Sequence, residues 1–169
     1  MKTIRPKLIL SALFFSSALA LHASEPFDAK IYEMGSGEFL FRYTNADELS
    51  GNERRLTHEY RNPEGELFAR ERVVLEGETL VRHTTEFFML GENSLIERRG
   101  KDIELSFTRE GKTKSKSLEY PESPGETLVF GPTQQEFIQR NLTRFKAGET
   151  VRFLIPAPEF SALIRFTMG

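Results

Sequence analysis

The sequence predicts a mainly β protein: an antiparallel meander sheet with one packed amphipathic helix at about 133–147. Three observations predict it. Apolar residues recur at every second position in most segments, the spacing of a half-buried strand. Turn signals interrupt these runs roughly every ten residues, the rhythm of a meander. One stretch, 131–148, carries apolar residues at helical spacing instead.

The chain begins with a segment set apart from that domain. Lys2, Arg5 and Lys7 form a basic opening, residues 8–21 are apolar and uncharged, and Ala18, Ala20 and Ala23 are small residues suited to cleavage. This is the pattern of a secretory signal peptide. A membrane anchor needs about 20 apolar residues, and this run has 14. The expected cut follows Ala23, with a cut after Ala20 as the alternative. It leaves a single β-rich domain at 24–169.

Residues 29–34 form the first short strand, and Gly35, Ser36 and Gly37 turn it. A phosphate-binding glycine loop needs a helix behind it; here a strand follows. Residues 38–44 alternate, with Phe39, Phe41 and Tyr43 on one face, and 45–52 read as a polar turn. Residues 54–61 alternate again, with Leu56, His58 and Tyr60 in phase, and 66–75 return after Asn62, Pro63, Glu64 and Gly65. In that turn Pro presets φ and Gly supplies a positive φ, so 54–75 is a hairpin. Strands follow at 80–90, 94–99, 103–109 and 113–120. Lys114 and Lys116 alternate with Ser and Thr in the last of these, as on an exposed edge or a solvated face. Residues 121–125 break the meander, and a short strand at 128–130 leads into the helix.

Thr133 is placed to cap the helix, and Glu136 to close a capping box. Phe137, Ile138, Leu142 and Phe145 form its apolar side, expected to lie on the large sheet. Arg144 and Lys146 suit the negative end of the helix dipole, and Gly148 is the left-handed stop. Strands at 150–155 and 160–168 follow, around Pro156 and Pro158. The last carries Leu163, Phe166 and Met168 with no polar tail, which fits either a shortened chain or a terminal strand tucked into the sheet.

Without the leader the chain carries 20 Lys+Arg against 25 Asp+Glu, a net charge of −5. An acidic balance argues against a nucleic-acid partner. The absence of cysteine excludes disulfides, thiolate metal ligands, a cysteine nucleophile and a lipid-bearing cysteine at the cleavage site. No later apolar run is long enough to cross a membrane as a helix. The product is expected in an exported space, the periplasm of a bacterium.

The motifs GxSxG and HExxH are absent, so neither a serine elbow nor a zinc helix is present. His58 and His83 fall on strands two apart, without a second ligand at helical or hairpin spacing. No metal or cofactor is expected. Glu64 and Glu66, Glu76 and Glu78, Glu97 and Glu104 sit at turns or on solvated faces. Nothing selects the facing carboxylate pair that glycosidase chemistry needs. The chain is read as non-enzymatic.

Phenylalanine is the remaining signal: 13 of the 15 lie beyond the leader, with no tryptophan. A Phe-rich core is one reading. The other is a curved sheet with an apolar cavity beneath the helix, able to take a lipid or acyl chain. Phe39, Phe41, Tyr43, Phe87, Phe88, Phe137 and Phe145 are expected to line it, since Phe gives apolar area without needing a hydrogen-bond partner. Arg140 and Arg144 share a helix face, and with Lys146 they suit anionic headgroups or an acidic partner; a solvated face is the alternative.

Two segments carry a resemblance. YRNPEGELFARERV (60–73) and GPTQQEFIQRNLTRFKAGETVRFLIPAP (131–158), about a quarter of the chain, resemble motifs in uncharacterised exported bacterial proteins. These have an aromatic–turn–Gly-x-Leu hairpin, then a helix ending in Ala-Gly-Glu-Thr before a Phe-rich strand. Architecturally they are similar to the half-barrel envelope proteins, such as the lipoprotein carriers of the Lol system and the DUF3108-type proteins, in which a curved antiparallel sheet wraps a helix. Members continue past the point matching Gly169. The resemblance implies a half-barrel fold and an envelope location, and no catalytic residue. By analogy of architecture, the expected function is to bind or carry an apolar ligand. The alternative is an interaction module that docks an envelope partner through a sheet edge or the helix face.

Overall fold

The computed structural model describes residues 27–120 and 127–169. The expected leader at 1–23 and the loop break at 121–125 lie outside the described residues. Eight strands form an antiparallel sheet in chain order: β1 (Phe27–Tyr32), β2 (Phe39–Ser50), β3 (Glu53–Arg61), β4 (Leu67–Glu76), β5 (Thr79–Phe87), β6 (Glu92–Arg99), β7 (Asp102–Arg109) and β8 (Lys112–Glu119). The sheet is open, with β1 and β8 at its edges. This is the meander that the turn spacing predicts. β9 (Thr127–Leu128) leads through a 3₁₀ turn at Gly131–Thr133 into the helix α1 (Gln134–Lys146). β10 (Val151–Ala157) and β11 (Ala162–Met168) follow. They form a second sheet of order β11-β10-β9, with β10 antiparallel to β11 and parallel to β9.

Period-two alternation gives the large sheet two unlike faces. On the inner face, Leu56, Val73, Leu75, Leu80, Ile96, Ile103 and Leu105 pack against Leu128, Phe130 and Leu154 from the β9–α1 connection and the small sheet. Each fully buried aliphatic side chain there is worth roughly 1.5–3 kcal/mol over its exposed state. The outer face carries ion pairs instead, among them Arg72 with Glu86, Arg70 with Glu59, and Arg99 with Glu97 and Glu104. Such charge pairs, most of them cross-strand, suit a solvated face.

The helix does not bury its apolar side on the large sheet. Phe137 packs on Phe153 of β10, ring centroids 5.0 Å apart, in a second core with Val129 and Val151. Phe153 and Leu154 are adjacent in β10, so they point to opposite faces and tie the small sheet to both neighbours. Of the four expected apolar helix positions, Phe137 is buried and Phe145 half-buried, while Ile138 and Leu142 are exposed. The small sheet is too narrow to cover the whole apolar side of α1.

Three further expectations change. Residues 45–50 continue β2, paired in register from Asn45 with His58 to Ser50 with Glu53. Their polar side chains find partners there: Asn45 accepts from the Phe27 amide at 2.8 Å, and Asp47 holds Arg54. The strand expected to reach residue 90 ends at Phe87, because the Leu90 amide closes a turn on the Phe87 carbonyl at 3.1 Å. The capping box does not form. The Thr133 hydroxyl turns back to the Phe130 carbonyl at 3.2 Å, and Glu136 reaches Arg54. The C-terminal stop forms as expected. Gly148 has φ 73°, and the amides of Gly148 and Glu149 bond the carbonyls of Phe145 and Arg144, the double closure of a left-handed helix cap.

Candidate functional site

A cleft of about 370 Å³ opens where the first two turns of α1 meet the ends of β3, β4 and β5. Its apolar wall is Leu75, Leu80, Leu128, Phe130 and Phe137. Its polar wall is Arg54, Glu78, Glu136, Arg140 and Asn141. The volume lies near the lower end of the roughly 300–1,000 Å³ range of small-molecule sites.

The polar wall is organised by Arg54. Its guanidinium grips Asp47 across the β2–β3 ladder (2.6 Å) and extends to Glu136 on the helix (2.5 Å). Asp47 first, with Glu136 adding to it, raises the Arg54 pKa further, so this group stays charged. Arg140 continues the rim, 3.0 Å from Glu78 and 3.7 Å from Glu136. The rim thus alternates in sign and ties the helix to the large sheet by charge.

Behind Phe130 lies a second feature, a polar cluster on the inner face. Glu71 follows the same strand phase as Ala69, Val73 and Leu75, so it points inward. In the register, His58 and Thr85 stand on either side of Glu71. His83, buried at 6% exposure, stacks on Phe130 with ring centroids 5.0 Å apart. Its Nε2 lies 3.3 Å from the Thr85 hydroxyl, while its Nδ1 has no hydrogen-bond partner among the described residues. The Tyr43 hydroxyl and Nδ1 of His58 share a hydrogen bond at 2.9 Å.

Burial dominates the electrostatics of this cluster. It pushes the Glu71 carboxyl up to about 7, against the opposing pull of the facing Tyr60 hydroxyl. It pulls His58 and His83 down to about 4. It also raises Tyr60, and takes Tyr43 up to about 12, with Glu71 adding to both. None of the described ion pairs includes Glu71. The described residues hold no group of three or more His, Asp or Glu side chains placed to bind a metal.

The seven aromatic residues expected to line one cavity fall into separate places. Phe41 and Tyr43 join Tyr60, Phe68 and Phe27 in a chain of ring contacts on the β1–β4 end of the sheet. Phe39 meets Tyr32 near the β1–β2 turn. Phe87 is half-buried at the end of β5, and exposed Phe88 lies under the Arg70 guanidinium. Phe137 lines the cleft, and Phe145 packs on the second core. On the helix, Arg140 is paired as above, Arg144 bonds Glu149 at 2.9 Å, and Lys146 is exposed. His58 and His83 are indeed two strands apart, and Glu71 stands between them. Strand phase was the signal for Glu71, since the glutamate sits in step with the apolar side of β4.

No family model, no curated protein and no solved structure matches this chain.

Proposed function

We propose that this protein is an exported, non-enzymatic binder of a small amphipathic molecule, with an apolar tail against Leu75, Leu80 and Phe137 and a polar head at the Arg54–Glu136–Arg140 rim. The cleft carries this reading: it joins an apolar floor to an ionic mouth in one space. A lipid or acyl chain with a dipolar headgroup suits it better than a purely apolar ligand, because the rim charges pair among themselves. The resemblance to half-barrel envelope proteins and the leader-like opening point the same way, toward the periplasm. The titratable cluster argues against chemistry at this cleft, because Glu71, His58 and His83 lie outside its lining.

Native mass spectrometry on residues 24–169, purified from a periplasm, tests the reading. A folded species with extra mass that extracts into organic solvent is expected, and Asn141→Trp, which puts bulk into the cleft from the half-buried helix face, should lose it while staying folded. A folded wild-type protein that carries no adduct and takes up no added fatty acid or phospholipid would refute it. An interaction module is the second reading. It is favoured by the flank of the small sheet, where edge strand β11 exposes Ile164 and Phe166 beside Phe160 at 72% exposure. Specific recovery of one envelope protein by wild-type bait, abolished by Phe166→Asp, would support it.

A further inference from the structure

The cleft and the buried cluster share one wall. Phe130 lines the cleft on one side and stacks on His83 on the other. Gly131, the next residue, lies so close to Glu71 that a Cβ built on it would stand 3.3 Å and 3.5 Å from the two carboxyl oxygens. This corner begins the 3₁₀ turn that opens into α1. It rests on the sheet through a carboxyl group outside every described ion pair and an imidazole with an unpaired nitrogen.

Among the described residues, the groups facing Glu71 bring no fixed positive charge. From β3 they are His58 and Tyr60, from β2 Tyr43, and from β5 His83 beside Thr85. The corner itself contributes no titratable side chain. Arg54 and Arg140 are committed to Asp47, Glu78 and Glu136 at the rim. A carboxylate at this half-buried position has lost part of its water without gaining a cation, and an imidazolium at buried His83 would lose nearly all of its own.

We propose that the corner at Phe130 and Gly131 is a proton-balanced latch: it closes on the sheet with Glu71 protonated and His83 neutral, and opening it releases a proton from Glu71 while His83 takes one up. The two linkages oppose each other. Glu71 alone would hold the corner best in acid and loosen it as pH rises toward about 7. His83 alone would loosen the corner as pH falls from 6.5 toward about 4. Together they keep the corner evenly closed through mildly acidic pH. Above that window the histidine has finished titrating, and Glu71 alone weakens the latch toward neutrality. The latch does not rest on the ligand reading, since both partners belong to the chain.

Amide hydrogen exchange tests it without any ligand. The probes are the Thr133 amide, bonded to the Phe130 carbonyl at 2.9 Å, and the Val129 amide, bonded to Leu154 at 2.8 Å, each referred to an amide of β7. One linked proton changes protection tenfold per pH unit. Wild-type protection at the corner should be nearly flat from pH 4.5 to 6.5. In Glu71→Gln it should rise with pH by roughly 100-fold over the same window, and in His83→Leu fall by roughly 100-fold. A wild-type to Glu71→Gln ratio that stays constant from pH 4 to 8 would overturn the latch. So would a Glu71 carboxyl carbon, followed by NMR in the wild-type protein, that titrates in the ordinary carboxylate range. That last measurement decides the matter even if a variant does not fold.

Discussion

At Glu71 the alternation of β4 places a carboxyl where Ala69, Val73 and Leu75 place apolar side chains. The consequence reaches global stability as well as the corner. The unfolded chain keeps protons on His58 and His83 up to about pH 6.5, while the folded chain holds both neutral from about 4. Their contribution therefore grows as pH rises through that window. Glu71 has the opposite sign: its folded carboxyl stays protonated to about 7, against an ordinary value of 4.5, so its contribution is lost as pH rises. Two rising terms and one falling term leave a net slope of one proton between pH 4.5 and 6.5, about 1.4 kcal/mol per unit. Glu71→Gln should double that slope and remove the slight loss between 6.5 and 7, as read from urea midpoints across pH. Identical slopes in the two proteins would refute the assignment. Ile103, with no exposed surface, gives a simpler case. Ile103→Ala leaves a hole that neighbours fill only in part and should cost about 2–5 kcal/mol, measurable in the same titrations.

At the scale of elements, local rules held where the chain had to reverse and were overruled where two elements compete. Gly148 was legible as a helix stop because its conformation is a local matter. At φ 73°, Gly148→Ala should destabilise by roughly 1–2 kcal/mol, the cost of a Cβ in the left-handed region, and should lower the melting temperature with the fold unchanged. An unaltered melting temperature would show that the cap contributes nothing. Asn45 to Ser50 looked like a turn because polar composition is a poor guide to backbone when side chains are satisfied across strands. Thr133 and Glu136 had the spacing of a capping box, but Arg54, 82 positions away, offers Glu136 a charge-assisted bond stronger than a backbone amide can give. A double-mutant cycle of Arg54→Met and Glu136→Gln should return a coupling of about 1 kcal/mol, between the values for exposed and buried pairs. Zero coupling would mean that the Arg54–Glu136 pair contributes nothing to holding the helix.

Across the whole molecule, the small sheet is the joint. Its two faces carry Leu154 into the core of the large sheet and Phe153 into the core of the helix, so it couples the two cores. Leu154→Ala should cost about 2–5 kcal/mol and lower hydrogen-exchange protection in β5 to β7 together with the helix. Loss confined to the helix would show two independent units. The sequence by itself determined the strand alternation, the glycine-marked turns, the helix that follows residue 133 and the acidic, cysteine-free composition, because the local features follow from neighbours a few positions apart and the composition from the residues themselves. The tertiary structure alone decided that the helix packs its buried side on a second sheet, that the expected aromatic lining is dispersed, and that Glu71, His58 and His83 cluster behind Phe130. Those depend on which faces meet across long stretches of chain, where burial changes the chemistry of a residue and a one-dimensional pattern carries no measure of it.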